Sequence, residues 1–336
     1  MNEKKPLNYA SIDYAKFLLA LMVIAIHEMP LTSYSRIINA FLVNAVCRIA
    51  VPLFFISTGF FLIKKGLTSE TLKRYVLKIF KVYLIWSFVY FVLEIGLATY
   101  YGEMNFDIIS DYLIELIGGG YGHLWYLYSS IIGVTFAWIL FTRFNLTRRF
   151  IVCFSVLLYV IGAVFNDIWN VFPFASLLNF QFGIIQHSLF TAVPFVLFGG
   201  CISHYYKEFD TATDRTKATK EILAFIMTSG FFLILEDSIL FKLGTCNGYQ
   251  NNLFMFPLSG CVFIGLLNFK VKPSTRATKM RFMSTYIYLV QGVFIAFVDM
   301  LFDNSLLKYM LVVALCVVFA ELAYWIKRQK LYSKGE

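Results

Sequence analysis

DYAKFLLALMVIAIHEMPL, residues 13–31, is apolar over almost its whole length yet carries Lys16 near one end and the adjacent pair His27 and Glu28 near the other. A run of this length is what a helix needs to cross the ~30 Å hydrocarbon core of a bilayer. Ionisable side chains inside such a run are costly to bury, so each of them is a functional candidate. The stretch is also ordered. At 100° per residue Lys16 and His27 fall within about 20° of one another on the helix surface, and the rise between them is ~16 Å. They share one stripe, whereas Glu28 points about 100° away from His27 and cannot be its partner within the helix.

The rest of the chain repeats the pattern. Of 336 residues 59% are hydrophobic and 15% charged, a balance no water-soluble domain carries without large exposed apolar patches. Apolar runs recur at about 12–30, 40–63, 75–99, 123–141, 150–165, 188–203, 221–240, 252–269, 282–302 and 306–326. The expectation is an all-α, polytopic helical membrane bundle of about ten spans. No Pro/Gly/Ser-rich linker divides it, so residues 1–336 read as one membrane domain, with no soluble racemase or esterase domain after KRQKLYSKGE. Lys4 and Lys5 ahead of the first run imitate a signal peptide, but no small-residue cleavage site follows, and a retained first span is expected.

The net charge of +9 is a matter of topology. If the N-terminus is cytoplasmic, every basic residue except Arg36, Arg48, Lys242 and Lys308 falls on inner segments or inner helix ends. That asymmetry predicts both termini inside and a cell-membrane, multi-pass protein whose inner face meets anionic lipid. The segment between the third and fourth spans is acidic instead, with Glu103, Asp107, Asp111 and Glu115. Basic residues scattered over short inner loops do not make a nucleic-acid surface. Six cysteines without CxxC spacing read as small buried hydrophobes. No phosphate-binding GxxxxGK[ST] loop, HExxH motif or nucleophile elbow is present.

Arg48, inside the second run, is the other clear intramembrane charge. It either locks two helices through an ion pair, with Glu28 as the natural partner, or serves a site. His27 is either a general base or an interfacial histidine bonded to a neighbouring helix. His123 and Trp125 begin the fourth span after GGGYG and could line an acceptor funnel, although aromatic residues also belong to the ordinary interfacial belt. Gln291 in the ninth span, and Asn251 with Asn252 before the eighth, either bind a polar substrate or bond between helices. His187 and His204 carry no signal of their own.

IDYAKFLLALMVIAIHEMPL (12–31) followed by CRIAVPLFFISTGFFL (47–62) resembles the opening of the acyltransferase-3 family of integral membrane O-acyltransferases. That family has an Arg, then ten residues, then a His on its first helix, and after it an Arg before a Val-Pro-x-Phe-Phe run. Here Lys16, His27, Arg48, Val51, Pro52, Phe54 and Phe55 take those places. Within the family, VIAIHEMPL, GHLWYLYSSIIGV (122–134) and STYIYLVQGVFI (284–295) are most similar to the membrane domain of the serine racemases of glycopeptide-resistance operons. Departures accompany the likeness. Lys replaces Arg at 16, which keeps charge but loses the bidentate fork. Gln291 and Gly292 stand where His-Pro is common, and FQFGIIQHSLF (180–190) lacks the Arg-Asn-Gly element of the racemase subgroup.

The resemblance implies an enzyme that moves an acyl group, acetyl in the simplest case, from cytoplasmic acyl-CoA to a hydroxyl of an extracytoplasmic glycan or cell-wall acceptor. It implies no bound cofactor and no metal, with acyl-CoA as the donor substrate. His27 and Arg48 would be catalytic and Lys16 would hold the CoA phosphates, with Glu28, His123, Trp125 and Gln291 toward the acceptor. The alternative from the same likeness is a non-catalytic L-serine uptake or binding module. Assembly with further copies of the chain is left open by the sequence.

Overall fold

The structure is a computed structural model that describes residues 9–119, 122–144, 146–168, 186–209, 215–243, 251–269 and 271–332. Lys4, Lys5, Cys246 and residues 180–185 lie outside the described residues. All regular structure among the described residues is helical. Among the described residues nine helical stretches are long and apolar enough to span a bilayer: Ala10–Glu28, Arg36–Lys64, Ser69–Tyr101, Phe106–Arg143 (which contains two separate helices, Phe106–Gly118 and Trp125–Trp138), Arg148–Phe165, Ser188–Tyr206, Lys217–Leu243, Thr275–Asp299 and Ser305–Lys330. The shorter apolar helix Met255–Asn268 fills the place of the eighth expected run. The chain is therefore an all-α, multi-pass membrane protein.

Local chemistry sets the ends and irregularities of these helices. The first stops because Met29 takes a left-handed conformation, φ 46°, and returns its N–H to Ala25, and because the residue before Pro30 is barred from continuing the helix. Thr68 caps the third span by accepting from the Thr71 N–H at 3.2 Å, which starts that helix six residues before the apolar run does. In the second span the backbone loosens to a π segment over Phe41–Val46 and tightens to a 3₁₀ turn over Cys47–Ile49. Pro52 explains the place: it has no N–H for the Arg48 carbonyl four residues back and its ring crowds it. The same cause recurs at Pro194, where a π segment covers Ser188–Ala192. There the Phe190 carbonyl accepts from Asn251 Nδ2 at 3.4 Å.

The acidic segment after the third span is helical: Phe106–Gly118 is a helix capped by the Asn105 side chain. Phe106, Leu113 and Ile117 form one exposed face, and Asp107, Asp111 and Glu115 recur at the i, i+4, i+8 spacing of another. Tyr83 donates to the Leu116 carbonyl at 2.6 Å and Tyr112 bonds the Ser87 carbonyl. The acids that mark the segment as polar occupy only one side of a helix whose other side suits a bilayer surface.

The helices fall into two compact units. The first comprises residues 1–50, 215–224 and 261–336. In it the Ala10–Glu28 helix packs against Thr275–Asp299, which packs in turn on Ser305–Tyr332. Ser11 Oγ donates to the Leu266 carbonyl at 2.6 Å, and Tyr14 shares a 3.1 Å hydrogen bond with Ser274. At the opposite end Ser33 and Ser305 exchange backbone-to-hydroxyl bonds of 3.0 Å each, and Ser305 Oγ also donates to the Pro30 carbonyl. The first and ninth spans thus run parallel, as the alternation of a ten-span chain requires.

The second unit comprises residues 51–214 and 225–260. Its core is a direct backbone approach between Ala50–Lys64 and Val193–Phe209. A Cβ on Gly59 would lie 1.9 Å from the Val196 carbonyl oxygen, and one on Gly199 would lie 2.1 Å from that of Ile56. Small residues at such crossings are what lets membrane helices pack closely enough to gain dispersion energy. Phe55, Phe60, Phe195 and Tyr159 are fully buried around the crossing.

Candidate functional site

The first unit holds Lys16, His27, Glu28, Arg48 and Gln291. His27 and Glu28 end the first helix, so the break at Met29 fixes both at its terminus. His27 is exposed and Glu28 is buried, which follows from the 100° between consecutive side chains. Arg48 is half-buried in the 3₁₀ turn ahead of Pro52. Its Nε donates to Oδ1 of the buried Asn44, one turn earlier, at 3.3 Å. It also lies within electrostatic reach of His27. The two residues best marked by the sequence therefore share one neighbourhood although 21 positions separate them in the chain.

The expected pairing of Glu28 with Arg48 is replaced by another. Glu28 faces Asp299 at the end of the ninth span and Lys308 at the start of the tenth, and Lys308 Nζ sits 2.7 Å from the Asp299 carboxylate. The reason is angular: Glu28 points away from the side of the first helix that carries His27, toward the helices tied in by Ser33 and Ser305.

At the other end of the stripe Lys16 is half-buried and acts electrostatically on Asp13, which is 3.6 Å from Arg281. Lys16 and Arg281 together flank one buried carboxylate. Arg281 was legible only as one of several basic residues on an inner segment. Its place depends on the parallel packing of the first and ninth helices, which no local pattern encodes.

Gln291 is fully buried on the ninth span, and neither its amide oxygen nor its nitrogen has a hydrogen-bond partner. The cost of leaving such a group unsatisfied is about 1–3 kcal/mol. Gln291→Met, which keeps shape and removes both polar atoms, is expected to raise the thermal melting point of the purified protein. A lower melting point would show that the amide makes a bond that stabilises the fold.

The second unit holds His123 and Trp125. Gly122–Leu124 form a 3₁₀ turn and Trp125 opens the helix behind it. The buried His123 contacts the Tyr90 hydroxyl at 3.3 Å, with their rings edge to face at 5.0 Å. Trp125 stacks on His187 with ring centroids 4.1 Å apart and 19° between planes. His187, unremarkable in sequence, is thus part of a histidine and aromatic cluster. Only its place just before the apolar run containing Pro194 hints at this. Asn251 bonds Thr191 and the Phe190 carbonyl, and Asn252 bonds Asp237, so both link helices. Glu236 accepts from the Leu253 and Phe254 N–H groups, which caps the start of the Met255–Asn268 helix. Among the described residues no group of three His, Cys, Asp or Glu is placed to hold a metal ion.

Among the described residues nine long apolar helices and a shorter one define a multi-pass membrane protein, and its first unit holds His27, Arg48 and Lys16. The sequence model of the acyltransferase-3 family, an acyltransferase domain, matches residues 9–325, and the chain belongs to that family. By that membership it carries an acyltransferase-3 membrane domain. It is similar to two amino-acid racemases of Enterococcus faecalis, at 28% identity over 93% of this chain and 44% of the relative, and at 26% over 96% and 47%. A serine/alanine racemase of Enterococcus gallinarum is 24% identical over 92% of this chain and 45% of its own length. The chain spans less than half of each of these relatives. No solved structure matches it.

Proposed function

We propose that this protein transfers an acyl group, acetyl in the simplest case, from cytoplasmic acyl-CoA to a hydroxyl of an extracytoplasmic glycan or cell-envelope acceptor. The observation that carries the reading is the shared neighbourhood of His27 and Arg48 on a helix whose far end presents Lys16 beside Arg281. The distribution of basic residues favours both termini in the cytoplasm. That orientation puts Lys16 and Arg281 on the side where acyl-CoA is found. The two cations would take its phosphates, and the ~16 Å of helix between Lys16 and His27 would be spanned by the extended arm that ends in the thioester.

The chemistry then balances as follows. A ring nitrogen of His27 takes the acceptor's hydroxyl proton while the oxygen attacks the thioester carbonyl carbon. Arg48 offsets the negative charge that develops on the carbonyl oxygen. The C–S bond breaks as the new C–O bond persists, and the proton held by the imidazolium goes to the departing thiolate. The products are an ester, free CoA thiol and neutral His27.

Thiol release from acetyl-CoA by inside-out vesicles that contain the wild-type protein, above that of vesicles without it, is the expected result. Similarity to a serine/alanine racemase motivates a second reading, in which the chain binds or imports L-serine without catalysis. L-serine uptake by right-side-out vesicles, with no thiol release from inverted ones, would replace the first reading with the second.

A further inference from the structure

Glu28 plays no part in the chemistry above, yet its surroundings are unusual. The side chain is only 8% exposed, and its Oε1 has no hydrogen-bond partner. A second carboxylate, Asp299, and one cation, Lys308, act on it electrostatically. Lys308 is already engaged at 2.7 Å by Asp299, and Asp303 also acts on it. Three carboxylates therefore act on one ammonium, which is paired with Asp299, and the buried Glu28 keeps an oxygen with no donor. A buried carboxylate oxygen without a donor is costly. The arrangement is held in place, since Ser33 and Ser305 tie the start of the tenth span to the end of the first. The Asp299 side chain is 46% exposed, whereas Glu28 is buried.

A second ammonium fits this vacancy in charge. It offers three donors on a compact centre, enough for the free Glu28 oxygen and an outer oxygen of Asp299. A hard divalent cation fits less well, because it asks for six or more oxygens and one of the two carboxylates is tied to Lys308. His27 is the preceding residue on the same helix, about 100° around it from Glu28.

We propose that Glu28 and Asp299 receive the ammonium group of the acyl acceptor, which makes the substrate an amine-bearing alcohol, such as an amino sugar or amino alcohol unit of the envelope. This rests on the acyl-transfer reading for what happens to the hydroxyl, but the binding step can be measured without any acyl donor.

The test uses the full chain in lipid nanodiscs and four probes paired by charge: glucosamine with glucose, and ethanolamine with ethylene glycol. The amines are expected to raise the melting temperature in a saturable manner and their neutral counterparts to leave it unchanged. Glu28→Gln and Asp299→Asn are each expected to weaken the amine response at least tenfold while the unliganded protein elutes as the wild type does. Equal responses to glucosamine and glucose, or a full amine response in a folded Glu28→Gln protein, would overturn the proposal. If Glu28→Gln does not fold, Asp299→Asn and the wild-type comparison of charged with neutral probes decide the matter. Glu28-dependent amine binding without thiol release would leave the ammonium site standing and remove the acyl-transfer reading instead.

Discussion

His27→Ala is expected to reduce acyl transfer by ~10²–10⁴-fold, the range a positioned general base contributes. The Michaelis constant for acetyl-CoA should stay close to wild type. The expectation follows from position. His27 sits at the end of the first helix, in reach of Arg48, while the proposed phosphate contacts lie ~16 Å away at Lys16 and Arg281. Removal of a group that acts only on the reacting atoms lowers kcat and kcat/KM together, whereas removal of a group that holds the substrate's remote end raises KM. Lys16→Gln should therefore do the reverse of His27→Ala: KM for acetyl-CoA rises and kcat changes little. The Lys16 contact should also weaken with ionic strength, because exposed charge pairs are screened on the scale of a Debye length. The two variants, assayed in the same vesicles by thiol release, form one experiment. Should His27→Ala keep wild-type kcat in a folded protein, the histidine is not the base.

The pair of variants also marks what sequence alone could deliver. Lys16 and His27 are related by helical geometry within one element, and the spacing is legible because a helix has a fixed rise and turn. The spans are legible for a similar reason: the bilayer demands a minimum apolar length whatever the tertiary fold, and each of the ten expected runs is met by an apolar helix. The partner of Glu28 depends instead on which helices pack beside the first, and here local reasoning chose Arg48 where the fold supplies Asp299 and Lys308. Arg281 and His187 were hidden for the same reason, as their neighbours Asp13 and Trp125 come from distant parts of the chain. The Phe106–Gly118 helix was hidden by its own acids, which occupy one side only. Geometry within a helix can be read from a sequence, and contact between helices follows from packing that no local period records.

The packing itself gives the largest expected effect on stability. Gly59→Leu and Gly199→Leu should each prevent accumulation of the folded protein. At both positions an added Cβ meets a backbone carbonyl oxygen, at 1.9 Å from Val196 and 2.1 Å from Ile56. A flexible side chain could swing aside, but a backbone oxygen can move only with its helix. Overpacking a core with room to adjust costs about 1–3 kcal/mol. Here the helices Ala50–Lys64 and Val193–Phe209 would have to separate, which would also expose the contacts of the buried Phe55 and Phe195. Even Gly59→Ala and Gly199→Ala should lower the melting temperature measurably. The helical glycines Gly96 and Gly230 provide the contrast, since a Cβ at either meets nothing within 4 Å. Alanine there should leave stability unchanged or raise it by up to ~1 kcal/mol, the difference in helix propensity. Opposite signs for the same Gly→Ala change at the two classes of site, read by thermal melting in one detergent, would establish the crossing as the close contact of the second unit. Equal and mild effects at all four positions would mean that the two helices do not meet at their backbones.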